Sequence, residues 1–236
     1  MIKHRMIFLA MLLINGLSSS PEFIGEVLHY SAGFRFFPAG HATLYMESDT
    51  LEDEMVYLLT STVTTNSFLS NFYKVRDVIK SWLEPDNLSL IKTVQTIREG
   101  RYHRDYETSI LGDSLALIKN NHTIKLPGKV YDPVAYIYFL RMQNLLKGNR
   151  YSFLSYGKTR IKEVFVDVTG KETIRVPAGT FKCFKIEPVS GDGKPLLKNN
   201  GLMQVWLSDD SLHLPVKIEQ NTNIGTMVMK LKSISH

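Results

Sequence analysis

The stretch EVLHYSAGFRFF, residues 26–37, decides the fold class. Leu28, Tyr30, Ala32, Phe34 and Phe36 fall on one side of an extended chain, and His29, Ser31 and Arg35 on the other. A period of two marks a half-buried β-strand. The same alternation recurs in AGHATLYMES, where Ala42, Leu44 and Met46 interleave with Thr43, Tyr45 and Glu47. It blurs in EMVYLLTSTVTT, as in a strand covered on both faces.

Further runs predict strands at residues 72–83, 88–99, 101–110, 114–119 and 122–126, and again at 151–156, 159–168, 172–176, 181–188, 202–207, 216–220 and 226–234. Gly100, Gly112 and Asn120–Asn121 separate them as turn residues do. Pro177 and Gly179 in VPAG predict a tight hairpin between Arg175 and Phe181. SGDGKPLLKNNG, residues 190–201, reads as an exposed loop. One segment departs from the pattern. In DPVAYIYFLRMQNLLKG, Asp132 and Pro133 suit a helix start and Gly148 a stop. Val134, Ile137, Tyr138, Arg141 and Leu145 share one helical face, so about four turns of amphipathic helix are expected. Such a stripe must cover something apolar, most simply a face of the sheet.

The expected fold is therefore mainly β: a curved antiparallel sheet, half-barrel or barrel-like, with one packed amphipathic helix. The 236 residues carry a 44% hydrophobic fraction, enough for one core without disulfides, and Cys183 is the single cysteine. MIKHR followed by MIFLAMLLINGL and SSS has the order of a secretory signal peptide over residues 1–20, leaving one β domain over 21–236. The run is shorter than the roughly 20 apolar residues of a membrane span. The formal charge of +5 falls by two when Lys3 and Arg5 leave with the leader, too little to imply nucleic acid. Export, to either a periplasm or the outside, is the expected localisation.

Chemistry is harder to find. In VWLSDDSLHLPVKIEQ, residues 205–220, Asp209 and Asp210 fall in a turn between two strands. Neighbouring residues of extended chain point to opposite faces, so the two carboxylates do not converge. The histidines form no i, i+4 pair and no H-E-x-x-H, although His41 and His103 could meet across strands. Cys183 sits in mid-strand without a basic partner, and no serine lies in a G-x-S-x-G elbow. No cofactor and no metal site is expected. Asp77 falls on the apolar face with Tyr73, Val75 and Ile79, where a carboxylate needs a partner. Met203, Met227 and Met229 lie on neighbouring strands and could line an adaptable apolar pocket together with Tyr138 of the helix.

VPAGTFKCFKIEP and GLMQVWLSDDSLHLPVKIE, with GEVLHYSAGFRFFPAGHATLYM and FYKVRDVIKSWLEPDNLSL, resemble the exported family called domain of unknown function 3108. The tail is more distantly similar to periplasmic lipoprotein carriers, curved half-barrels with helices against the concave side. This chain has one clear helix where those carriers have several. The resemblance implies a bacterial periplasm as the compartment and no catalytic residues. The expectation is a non-enzymatic envelope protein that binds a lipid or acyl chain through Met203, Met227, Met229, Tyr138 and Asp77. The alternatives are an interaction module for an envelope protein partner and a hydrolase using Asp77 or the Asp209–Asp210 region. Peripheral membrane contact is compatible with the first.

Overall fold

The alternation in the opening stretch becomes strand β1 (Val27–Phe34), with Leu28 and Tyr30 fully buried. The computed structural model describes residues 21–34, 37–112, 115–118, 122–157, 160–192, 201–222 and 225–236. The leader over residues 1–20, Phe36 and most of the 190–201 segment lie outside them. The first arm of the sheet continues through β2 (Phe37–Leu51), β3 (Glu54–Thr65), β4 (Arg76–Leu83), β5 (Leu90–Glu99), β6 (Tyr102–Leu111), β7 (Leu115–Ile118) and β8 (His122–Lys125). The second arm comprises β9 (Val130–Tyr131), β10 (Arg150–Gly157), β11 (Arg160–Val176), β12 (Gly179–Ser190), β13 (Leu202–Ser208), β14 (Pro215–Thr222) and β15 (Gly225–Ser235). Among the described residues, two helices interrupt them, α1 (Ser67–Ser70) and α2 (Ala135–Arg141).

All fifteen strands form one sheet in the order β8-β7-β6-β5-β4-β3-β2-β1-β15-β14-β13-β12-β11-β10-β9. The first strand therefore pairs with the last at the middle of the sheet, with Val27 opposite Ser235. Each arm is an antiparallel meander, apart from the parallel pair β9–β10 that α2 connects. The sheet is curved and does not close. Instead its arms pack on each other. Leu154 and Tyr156 of β10 join a core cluster with Leu28, Leu44 and Leu83 of the first arm, whereas Tyr151 and Phe153 join a second cluster with Val164, Ile186 and Val205. The Tyr156 hydroxyl lies 2.9 Å from Thr108 Oγ1 of β6 and ties the arms together.

Helix α2 lies between the same two clusters. Ala135 and Tyr138 pack into the first, Tyr136, Ile137 and Leu140 into the second. Its start lies two residues later than expected, at Ala135 instead of Pro133, although Asp132 Oδ1 accepts from Val134 N at 2.8 Å and Ala135 N at 3.1 Å. Its length also differs. The helix runs 7 residues, not four turns. Met142 N and Gln143 N donate three residues back, to Phe139 and Leu140, and the chain then leaves the helix. Leu145 still reaches the second cluster from non-helical chain.

Other boundaries also move. The strand expected over 72–83 begins at Arg76, because Phe72 N and Tyr73 N donate back to the Leu69 carbonyl in the turn that ends α1. The strands expected at 159–168 and 172–176 are one, and Gly170 marks a register shift rather than a break. The VPAG hairpin is present, with Val176 opposite Gly179.

Candidate functional site

Antiparallel pairing puts alternate turns at opposite ends of the sheet. The β1–β2 turn, the α1 segment, the β5–β6 turn and the β14–β15 turn share one end, called the rim here. The β2–β3, β4–β5, β11–β12 and β13–β14 turns share the other, the base.

At the rim, a cross-strand row runs Met203–Gln220–Met227–Phe34–Phe37 over five strands. Side chains directly opposite in a ladder share a face, so these residues point the same way. Phe34, Phe37, Pro38, Asn66, Phe68 and Leu69 wall an open groove of about 470 Å³. Asn66 is its one amide, and both ends of that amide are engaged: Oδ1 accepts from Leu69 N and Nδ2 donates to Pro38 O at 2.8 Å. The groove therefore presents apolar walls. Phe37, Phe68 and Phe72 are 69%, 70% and 76% exposed, and the Phe68 and Phe72 rings stand 5.7 Å apart.

The residues singled out in the sequence separate into three places. Met203 and Met227 lie on the rim row, and half-buried Met229, opposite Ala32, lies on the row beneath it. Asp77 is half-buried on β4, and its Oδ1 accepts the Arg98 backbone N–H at 2.8 Å. That amide is the partner its apolar setting demands. Tyr138 is remote from the groove, fully buried in the base half of the core. The groove walls Phe37, Phe68 and Leu69 carry no motif. Their only signal is a run of large apolar residues in segments without strand or helix period.

The base holds the polar centre of the molecule. Arg141, the last residue of α2, donates to both carboxylate oxygens of Glu26, at 2.6 and 3.0 Å. Both side chains are almost wholly buried. Arg141 Nε also donates to Leu212 O, and its guanidinium sits over the Phe23 and Tyr138 rings. The Tyr30 hydroxyl donates to Pro215 O at 2.8 Å, while the Tyr138 hydroxyl has no partner among the described residues. Burial pushes both phenols above their ordinary range.

Asp209 and Asp210 flank this centre without forming a pair. Asp209 Oδ2 meets Lys171 Nζ at 2.7 Å. Asp210 Oδ1 instead accepts from Ser208 Oγ, Leu212 N and His213 N, closing the turn. The turn docks on the helix end through His213 Nδ1, 3.0 Å from Arg141 O. Cys183 is buried, and burial, with the Asp210 and Asp209 charges behind it, pushes its thiol up to about 12. His41 lies opposite Ser31 and Thr64, and His103 opposite Arg98, so the ladder does not pair them.

The family model described as protein of unknown function (DUF3108) matches residues 28–232. The chain belongs to the DUF3108 family. The DUF3108 match runs from the first core residue of β1 almost to the end of β15, and so contains both the groove and Arg141. Among solved structures, the chain is similar to a β-barrel-like protein of domain of unknown function DUF1849 from Brucella abortus. The TM-score is 0.58 at 10% identity, covering 90% of this chain and 98% of that one. At that identity the likeness is one of fold. A protein with a YmcC-like fold from Bacteroides fragilis aligns over 90% of this chain and 96% of its own, at 12% identity, with a TM-score of only 0.36. No curated protein matches the chain.

Proposed function

We propose that the protein is an exported, non-enzymatic envelope protein that binds a lipid or acyl chain, and that the rim groove takes it. The groove carries this reading. Its volume of about 470 Å³ lies within the roughly 300–1,000 Å³ typical of small-molecule sites. Its walls are aromatic and aliphatic, and its one amide is already engaged. Met227 and Met203 extend the same face with side chains that adapt to irregular chains. The interior beside Tyr138 is packed by α2, which turns the search for a ligand from the base half to the rim. The leader pattern at residues 1–20 supports export.

Titration with the fluorescent fatty acid cis-parinaric acid in lipid-free buffer tests the reading. The protein should bind it, and Phe68→Asp, at an exposed position, should weaken binding at least about tenfold by placing a charge in an apolar site. Absence of binding, or binding that Phe68→Asp leaves unchanged, removes the proposal.

A further inference from the structure

We infer that the rim is a docking surface for an anionic lipid bilayer, set so that the groove opens at the membrane. The inference rests on the groove as an acyl site and adds where the acyl chain comes from.

Three observations converge. First, the rim's large side chains stand outward. Phe37, Phe68 and Phe72 are each more than two-thirds exposed, although each belongs to or adjoins an ordered element. Aromatic and aliphatic side chains on one level of a fold are the apolar half of an interfacial anchor.

Second, cations flank them. Lys74 and Arg76 follow α1 directly, and Arg101 and Arg104 sit at the β5–β6 turn, all exposed. These two turns are locked together. Gly100 N donates to Lys74 O at 2.8 Å. The Tyr73 ring lies so close that a Cβ on Gly100 would stand 2.7 Å from it. Gly100 also has φ +56°, a backbone that favours glycine. Among the described residues, no carboxylate forms an ion pair with Lys74, Arg76, Arg101 or Arg104. The same end also carries Asp77, Glu99 and Asp105, of which Asp105 is taken by Arg98, so the cations remain in excess.

Third, the opposite end of the same arm has the reverse charge. The β2–β3 turn carries Glu52, Asp53 and Glu54, and the β4–β5 turn carries Glu84 and Asp86, with no lysine or arginine in residues 51–55 or 84–89. The first arm is therefore polarised along its strands, cationic and aromatic at the rim, acidic at the base. An anionic surface attracts one end and repels the other, which orients the groove toward the lipid.

Flotation with vesicles tests this, using the chain from Pro21 onward, which contains every described strand. Vesicles of phosphatidylcholine alone are compared with vesicles half of phosphatidylglycerol. The protein should float with the anionic vesicles, more weakly as salt rises, and hardly with the neutral ones. The variant Phe37→Ser/Phe68→Ser/Phe72→Ser should lose at least about tenfold in partition. Lys74→Glu/Arg101→Glu should lose roughly fivefold or more per charge on anionic vesicles only. Glu52→Lys/Glu84→Lys, at the base, should leave binding by the rim intact. Failure to float with anionic vesicles overturns the inference, as does flotation that the rim variants leave unchanged. Concentration-dependent dimerisation abolished by the serine variant also overturns it, since the surface then belongs to a second copy. The two readings part cleanly. Parinaric acid binding without flotation removes the docking surface alone. Flotation sensitive to the rim variants, without parinaric acid binding, removes the acyl site alone and keeps the docking surface.

Discussion

The base and the rim of this sheet use the same kind of aromatic pair for opposite ends. At the base, Phe23 and Tyr138 meet edge-on with centroids 5.2 Å apart, and both are buried. At the rim, Phe68 and Phe72 stand at a similar 5.7 Å, and both face solvent. The difference lies in what surrounds them. The base pair shields an ion pair that three separate segments bring together: Glu26 ahead of β1, Arg141 ending α2, and the turn before β14. Of the rim pair, Phe68 sits on a four-residue helix that contributes no buried residue at all, and Phe72 follows just after it. One aromatic pair serves closure of the fold. The other remains available for contact.

The largest test of this contrast is at Glu26. Removing one partner of a buried ion pair leaves the other charge unsatisfied, at a cost of about 3–5 kcal/mol. Glu26→Ala and Arg141→Ala should each lower the urea midpoint by that much in unfolding free energy. Replacing both together, as Glu26→Leu/Arg141→Met, should recover most of the loss, because apolar groups of similar shape need no partner. A single substitution costing under about 1 kcal/mol would put this pair among surface pairs and dissolve the distinction between the two ends.

This pair also shows where sequence reading stops. The strands were legible because alternation is local: Leu28 and Tyr30 alternate with His29 within a single strand. The approach to α2 was legible because Asp132 accepts from backbone N–H groups two and three residues on, although the helix itself starts at Ala135. Arg141 sat on the apolar stripe in plain view, and an arginine there is a sign that an acid meets it. Which acid depends on a separation of 115 residues, which no local period encodes. The helix length failed for the same reason. Leu145 kept the stripe going, but the ties from Arg141 to Glu26 and Leu212 fix the end of the helix. Toward the rim, Met227 and Met229 were grouped by a shared face of one strand and Met203 by its place in a nearby strand. Phe37 and Phe68, which give the groove its walls, lie at a strand start and in a short helix, where periodicity carries no signal. Asp77 illustrates the converse. Its need for a partner was legible, and the partner, a backbone amide of the next strand, was not.

A smaller effect separates the two buried tyrosines of the base. Tyr30→Phe removes a buried hydrogen bond to the Pro215 carbonyl, so unfolding free energy should fall by about 1–2 kcal/mol. Tyr138→Phe removes a hydroxyl that has no partner among the described residues, so stability should hold or rise slightly. Thermal unfolding of the two variants side by side measures the difference. Equal losses would mean that the Tyr138 hydroxyl is satisfied in solution, and that the base is wetter than its packing implies.

The smallest effect is expected at the rim, and its smallness is the point. Phe68→Ser and Phe72→Ser alter side chains that are mostly exposed, so each should shift unfolding free energy by no more than about 0.5 kcal/mol. A phenylalanine holding a core in place costs about 3–5 kcal/mol when truncated. Urea unfolding of these variants therefore measures whether the rim aromatics belong to the fold. A loss above about 2 kcal/mol at either position would assign that residue to packing, and at Phe68 it would take a free wall from the groove. A loss within the expected range means that folding does not account for two phenylalanines in solvent, where their exposure carries a solubility cost. Their retention then needs an occupant for the groove or a surface for the rim, and vesicle flotation and fatty-acid titration distinguish those two.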